Sequence, residues 1–418
     1  LPYARILIDE GAEFLFRGGP PRFTAPGSQA AQAIIDQVIR DNSLGARWLS
    51  LARSAGNCGT VAAKFGLWRD VHGAERVKVS FLTAPEECRV WTDAHDYTHI
   101  TMARVQYPFR DRKTNTWSLF REEWTDDEWV EFEPLSVSSA GMPLSWREEQ
   151  DDCDQWRIAK IRENPFGVIP ITLIRNRQVE GSPLGVGDCW GVFRIMDRVA
   201  LTMHGQDRSN QLHSDPIRVV KNADLENQGP LLPGEAISVR NSDGSGVAAD
   251  FELVEPSGAA RQYVQAYVEK MEDLLYRAVG ISKVDTASIA NRGNLTRLAF
   301  LMTYARTIST TDRKRQAWGP DGLGMFFGTM LCGLNRAGYA DARGDVGDAE
   351  VIVQWPDYFA PTDADRKSVT DRTLSQLQAG MIAPHAAALR LAAAEGVPAA
   401  DIARFADEAT KFGSHKEK

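Results

Sequence analysis

The residues best placed to do chemistry are Asp93, His95, Asp96 and His99, four possible metal ligands within a few positions of one another. Imidazole and carboxylate donors of this kind suit zinc or manganese. They fall in a turn between two alternating segments, where Asp and His are also ordinary solvated residues. A metal-dependent enzyme therefore stays open as one reading. Gly185-Val-Gly187-Asp-Cys-Trp-Gly191 is glycine-rich, yet its spacing and the lack of a βαβ context do not fit a dinucleotide loop. The sequence contains no GxxxxGK[ST] phosphate cradle, GxSxG elbow, HExxH or Cys/His nucleophile arrangement. The five cysteines (Cys58, Cys88, Cys153, Cys189 and Cys332) are scattered without a CxxC pair. That pattern indicates neither a zinc knuckle nor a disulfide framework, and it predicts a reducing setting. The expectation is no catalytic residue, no metal and no cofactor.

Such residues need elements to hold them, and 418 residues with 43% hydrophobic composition can bury a large core. The length suits two or three compact units or one multi-part subunit. Mean hydropathy is −0.32, and no apolar run reaches the ~18–20 residues that cross a bilayer. No secretory leader pattern opens the sequence, so no membrane partner is expected. The net charge of −8 argues against tight, phosphate-neutralising nucleic-acid binding. It does not argue against a surface that DNA slides past.

In chain order, residues up to about Pro26 read as irregular. Ser28–Arg40 and about Leu44–Phe65 read as amphipathic helices. From Glu75 the period changes to two. Val77–Leu82, Thr98–Val105, Trp117–Trp124, Trp129–Phe132 and Gln155–Ile161 alternate between turn-rich stretches. Asn164–Asn176 reads as a tight turn feeding a buried strand. The first ~180 residues thus predict an α+β unit with a mainly antiparallel sheet. Gly185–His213 reads as a helix with the stripe Val192, Ile195, Met196, Val199 and Met203. Short strands at Ile217–Val220, Ala236–Val239 and Asp250–Val254 make a small insert.

The stretch Gly258–Arg313 organises the rest. Ala260, Val264, Tyr267, Met271, Leu274, Leu275 and Ala278 form a stripe that Gly280 ends. Twenty-two residues at ~1.5 Å each give a rod of about 33 Å. Ser282–Gly293 is polar and aperiodic, and Asn294 can cap a helix with the stripe Leu295, Leu298, Leu301, Met302, Ala305 and Ile308. A kink is expected at Pro320. Asp348–Pro356 reads as an isolated strand and the tail from Asp363 as helical.

This order of parts resembles the portal (head-to-tail connector) proteins of tailed bacteriophages, siphophage type. Asn164-Pro-Phe-Gly-Val-Ile-Pro-Ile resembles the strand closing the wing sheet, and Gly185–Arg208 the first stem helix. Asp215-Pro-Ile-Arg-Val-Val and Pro233-Gly-Glu-Ala-Ile resemble the clip. Glu255-Pro-Ser running into Gly258–Ile281 resembles the second stem helix. Asp348–Trp355 and Thr373–Pro384 resemble the strand and helix entering the crown. The resemblance implies an α+β portal fold with a wing (1–184), stem helix (185–214), clip (215–257), stem helix (258–281), tunnel loop (282–297), kinked helix and wing strand (298–355) and crown (356–418). It also implies a dodecameric ring at a capsid vertex of the virion, assembled in the host cytoplasm. Double-stranded DNA would be packaged and ejected through its channel without sequence preference. Terminase large subunit, head-completion adaptor, major capsid protein and scaffold are the implied partners. Lys283, Asp285, Ser288, Asn291, Arg292 and Asn294 fall on the tunnel loop, with Lys283 and Arg292 as phosphate contacts. Glu269, Lys270, Asp273 and Arg277 fall on the stem, and Arg218, Lys221 and Arg240 on the clip. A scaffold or adaptor protein without a channel is the third reading.

Overall fold

Ser28 opens a helix because its hydroxyl accepts the Ala31 N–H at 3.2 Å, satisfying one of the orphan amides of the first turn. The helix it caps is α2 (Gln29–Asp41), preceded by α1 (Tyr3–Leu15) and followed by α3 (Leu44–Cys58). The computed structural model describes residues 3–112, 115–137, 156–213, 217–221, 223–225, 239–241, 250–254, 258–283, 297–339, 341–342, 345–359 and 363–394, with the side chains of 137, 209–261, 297–299, 345, 363–365 and 393–394 excepted. The chain divides into two compact units, Leu1–Leu7 with Cys189–Gly280, and Ile8–Asp188 with Ile281–Lys418.

The larger unit is α+β. Strands β2 (Thr60–Arg69), β3 (Glu75–Leu82) and β10 (Ile171–Arg175) form an antiparallel sheet in the order β10-β2-β3. A second antiparallel sheet runs β4 (Cys88–Thr92), β5 (Ile100–Arg110), β6 (Trp117–Trp124), β7 (Glu128–Phe132) and β9 (Ile158–Glu163), with β8 (Leu135–Val137) on β6. β1 (Arg22–Thr24) pairs with β15 (Ile352–Gln354). The later helices are α6 (Arg297–Thr303), α7 (Ala305–Trp318), α8 (Met325–Arg336), α9 (Asp363–Gln378) and α10 (Pro384–Ala394). One core joins Ile35, Trp48, Phe65 and Ile174 from the first half of the chain to Trp318, Phe327, Met330 and Leu334 from the second. Each such side chain contributes about 1.5–3 kcal/mol when fully buried. These residues are far apart in sequence, so the unit closes only when both halves are present.

Several expectations need correction. Residues up to Pro26 are not irregular: α1 buries Leu7, Ala12, Phe14 and Leu15. The second helix does not reach Phe65. It stops at Gly59, whose φ of +87° suits glycine, and the chain continues as β2. Val61, Ala63 and Phe65 step by two, the period of a strand and not of a helix, and β2 pairs with both β10 and β3. Asp348–Pro356 is not isolated, because Ile352–Gln354 pairs with β1. At Pro320 the helical path passes through a π-helical turn, Gly319–Gly324, and continues as α8. In the second half of Gly258–Arg313 the buried positions are Thr307 and Thr311, followed on the same helix by Lys314, Arg315, Ala317 and Trp318, whereas Met302 and Ala305 are exposed. Asn294 and Leu295 lie outside the described residues.

The smaller unit pairs α4 (Phe193–His213) with α5 (Gly258–Val279). Between them in sequence lie β11 (Ile217–Lys221), β12 (Ala223–Leu225), β13 (Val239–Asn241) and β14 (Asp250–Val254), paired β11–β14 and β12–β13. α4 begins at Phe193, not Gly185.

Candidate functional site

In the smaller unit, α4 buries Val199, and α5 buries Val268, Leu275 and Val279. Leu274 and Ala278, expected on that stripe, are exposed instead, because the buried face is centred about one residue further round the helix. Gly280 ends α5 with φ +84°, its N–H donating to the Tyr276 carbonyl at 3.0 Å. The Tyr3 hydroxyl donates to the Glu272 carboxylate. Burial first, and then that carboxylate, push its phenol up to about 12.

At about 100° per residue, Glu269, Lys270, Asp273 and Arg277 gather on the side of α5 opposite its buried face, and all four are exposed. Two acids and two bases make this face charged but balanced. Tyr263 and Leu274 lie within about 20° of each other on its flank, 78% and 48% exposed. On α4, Leu201 is 71% exposed, about 160° round the helix from Val199. The pair of helices therefore covers one apolar face and leaves apolar side chains outward on both members. Sequence reasoning missed this outward set, since a single stripe per helix was all that the spacing signalled.

In the short strands, register places Arg218 opposite Leu253, Lys221 opposite Asp250 and Arg240 opposite Asp224. Asp285, Ser288, Asn291, Arg292 and Asn294 lie outside the described residues. Lys283 is exposed and belongs to the larger unit, just after Ser282, whose N–H donates to Thr307 Oγ1 on α7 at 2.8 Å. That bond anchors one end of the predicted loop to a helix.

α7 carries features that the sequence did not signal as a group. Lys314 Nζ meets Asp188 Oδ1 at 2.6 Å, with both side chains at most 5% exposed. Asn176 donates to the same oxygen at 2.9 Å. Arg315 donates to the Leu15, Arg17 and Pro356 carbonyls and lies 3.8 Å from the Tyr358 ring centroid. Desolvation lowers its guanidinium pKa. Phe300 and Tyr304 pack on Phe359, and Tyr304 also on Phe14. These contacts tie α1, α6, α7 and the 355–359 segment together within the larger unit.

The two enzyme-like features resolve differently from their sequence appearance. The Asp93 carboxylate accepts the His95 N–H at 2.7 Å, and Asp96 accepts both the N–H and the hydroxyl of Thr98. The Thr98 hydroxyl, followed by its amide, holds Asp96 below the ordinary carboxylate range. Their carboxylates fold the turn, and no group of three His, Cys, Asp or Glu is placed to hold a metal among the described residues. Gly185 and Gly187 serve close packing: a Cβ on either would come within 2.7 Å of a backbone oxygen near the α3–β2 junction. Among the described residues no helix is long and apolar enough to cross a membrane.

A family model described as "Phage portal protein, SPP1 Gp6-like" matches residues 1–409. The chain belongs to this portal family. None of the curated proteins matches it. Among solved structures, one described as "Neck of empty GTA particle computed with C6 symmetry" is similar over 93% of this chain and 88% of that one, at 11% identity and a TM-score of 0.41. Membership makes this a structural connector protein with a portal role, and its α+β elements are those of a portal subunit.

Proposed function

We propose that copies of this chain assemble head to tail into a closed ring, with the channel for genome packaging and ejection at its centre. Besides family membership, the observation that carries this reading is the outward apolar set of the smaller unit. Leu201 on one member and Tyr263 with Leu274 on the other are different patches on opposite members of a helix pair. Each patch offers a surface to a neighbouring copy, and a contact between the unlike patches is of the heterologous kind that can close into a ring. The family's usual subunit number makes the ring a dodecamer.

In this reading 185–214 and 258–281 are the stem, and 215–257 is the clip. The clip docks the terminase large subunit during packaging and the head-completion adaptor afterwards, with Arg218, Lys221 and Arg240 at its strands. Residues 1–184 with 298–355 form the wing, toward the major capsid protein and scaffold, and 356–418 the crown. The ring sits at one vertex of the virion and is assembled in the host cytoplasm. Glu269, Lys270, Asp273 and Arg277 line the stem, and the 282–297 loop approaches the duplex with Lys283 and Arg292. An acidic subunit gives DNA a wall that does not trap phosphates. The chain itself performs no catalysis in this account. Negative-stain imaging and native mass spectrometry of the purified full chain test it. Rings with a central hole are expected, and a population of monomers and dimers at micromolar concentration would overturn it.

A further inference from the structure

Strand β9 ends the six-stranded sheet, and all six of its residues are exposed. The Asn164 N–H donates to the Asp127 carbonyl at 2.7 Å, making 127–164 a hydrogen-bonded pair. Alternation along the ladder then turns the backbone N–H and C=O of Ile161 and Glu163 away from β7, while those of Arg162 face it. A register shift opposite Glu131/Phe132 sets Ile158 across from Phe132 and Ile161 across from Val130. Residues directly opposite share a face, so the bulge brings two isoleucines three positions apart onto one side. That side is the small apolar cluster of Leu119, Phe132 and Trp156. Ile158 and Ile161 are 55% and 59% exposed, so among the described residues the cluster is open at its rim. The other side of β9 carries Lys160, opposite Glu131, and Arg162, 4.8 Å from the Trp129 ring.

The other sheet treats its edge differently. On β3, Asn42 accepts the Val79 N–H and donates to the Val77 carbonyl, and Arg47 donates to the Val79 carbonyl. Side chains thus occupy that edge and block further pairing. Among the described residues β9 has no such cover. It has outward backbone groups, an open apolar rim on one face and cations on the other.

We propose that β9 is a strand-addition site for an extended segment of another protein, with apolar residues alternating with acidic ones. Its backbone continues the ladder at Ile161 and Glu163. Its apolar side chains cover Ile158 and Ile161, and its carboxylates meet Lys160 and Arg162. A second copy offering its own β9 is disfavoured, because two such strands would bring like charges together.

Hydrogen exchange of the full chain, read by mass spectrometry with residue-resolving fragmentation, tests this. The probes are a capped alternating Glu/Val heptapeptide and its Lys/Val counterpart. In the free protein the Ile161 and Glu163 amides exchange fast and the Arg162 amide slowly. The Glu/Val peptide slows Ile161 and Glu163 at least tenfold, and the Lys/Val peptide does not. The double variant Lys160→Glu/Arg162→Glu reverses that preference. Ile161→Pro removes an outward donor that an edge strand tolerates losing, so it abolishes binding while the Arg162 amide stays protected. Protection of Ile161 and Glu163 without peptide means that the edge is already covered and overturns the proposal. Equal slowing by both peptides, or by neither, also overturns it.

Discussion

Replacing Lys314 by methionine isolates the buried charge pair at the residue where the chain leaves the larger unit. Methionine keeps most of the stem volume and removes only the ammonium. Asp188, 4% exposed, then keeps its Asn176 bond but loses its 2.6 Å counter-charge. Leaving one member of a buried pair uncompensated costs about 3–5 kcal/mol, or roughly two to four decades in the folding equilibrium. Replacing Asp188 by asparagine as well removes the stranded charge. The double variant Lys314→Met/Asp188→Asn should therefore recover most of the loss and end within about 1–2 kcal/mol of the parent. Urea unfolding followed by tryptophan emission, compared at equal m-value, measures both, since Trp318 sits in the same core at 0% exposure. A single variant that loses less than about 1 kcal/mol, or a double variant no more stable than the single one, would refute the reasoning.

Leu201→Glu should leave the folded subunit within about 0.5 kcal/mol of the parent, because the site is already wet, yet block ring formation in native mass spectrometry. Rings at parental abundance would remove Leu201 from the contact. Tyr3 and Tyr358 have phenol pKa values raised above the ordinary 10, first by burial and then by a carboxylate at the hydroxyl. A raised folded pKa means that the stability from these contacts is complete below pH 10. It is lost as pH rises through the folded value, about 12 for Tyr3. Absorbance at the tyrosinate band should show some of the nine tyrosines ionising only together with alkaline unfolding. All nine titrating together near pH 10 would contradict this. Lys283→Ala with Arg292→Ala should slow DNA packaging in a reconstituted assay without changing ring assembly, and unchanged packaging would remove both from the DNA contacts.

The periodic elements and their order were legible in the sequence. Spacing of three and four placed α2, α5 and the start of α3 near their observed positions, and alternation marked β3, β5, β6 and β7. These signals are local: each comes from a face buried on one side of one element. Family resemblance was legible for the same reason, since it lay in the order of those elements. Tertiary structure decided what depends on partners distant in the chain. Thr60–Phe65 became strand because β3 and β10 flank it. Ile352–Gln354 found β1 some three hundred residues earlier. Lys314 and Arg315 could be buried only because Asp188 and three backbone carbonyls receive them. The outward Leu201 and Tyr263, and the open rim at Ile158 and Ile161, likewise emerged only after packing. A stripe records which residues are apolar, but which of them the fold leaves uncovered depends on how many neighbours it supplies.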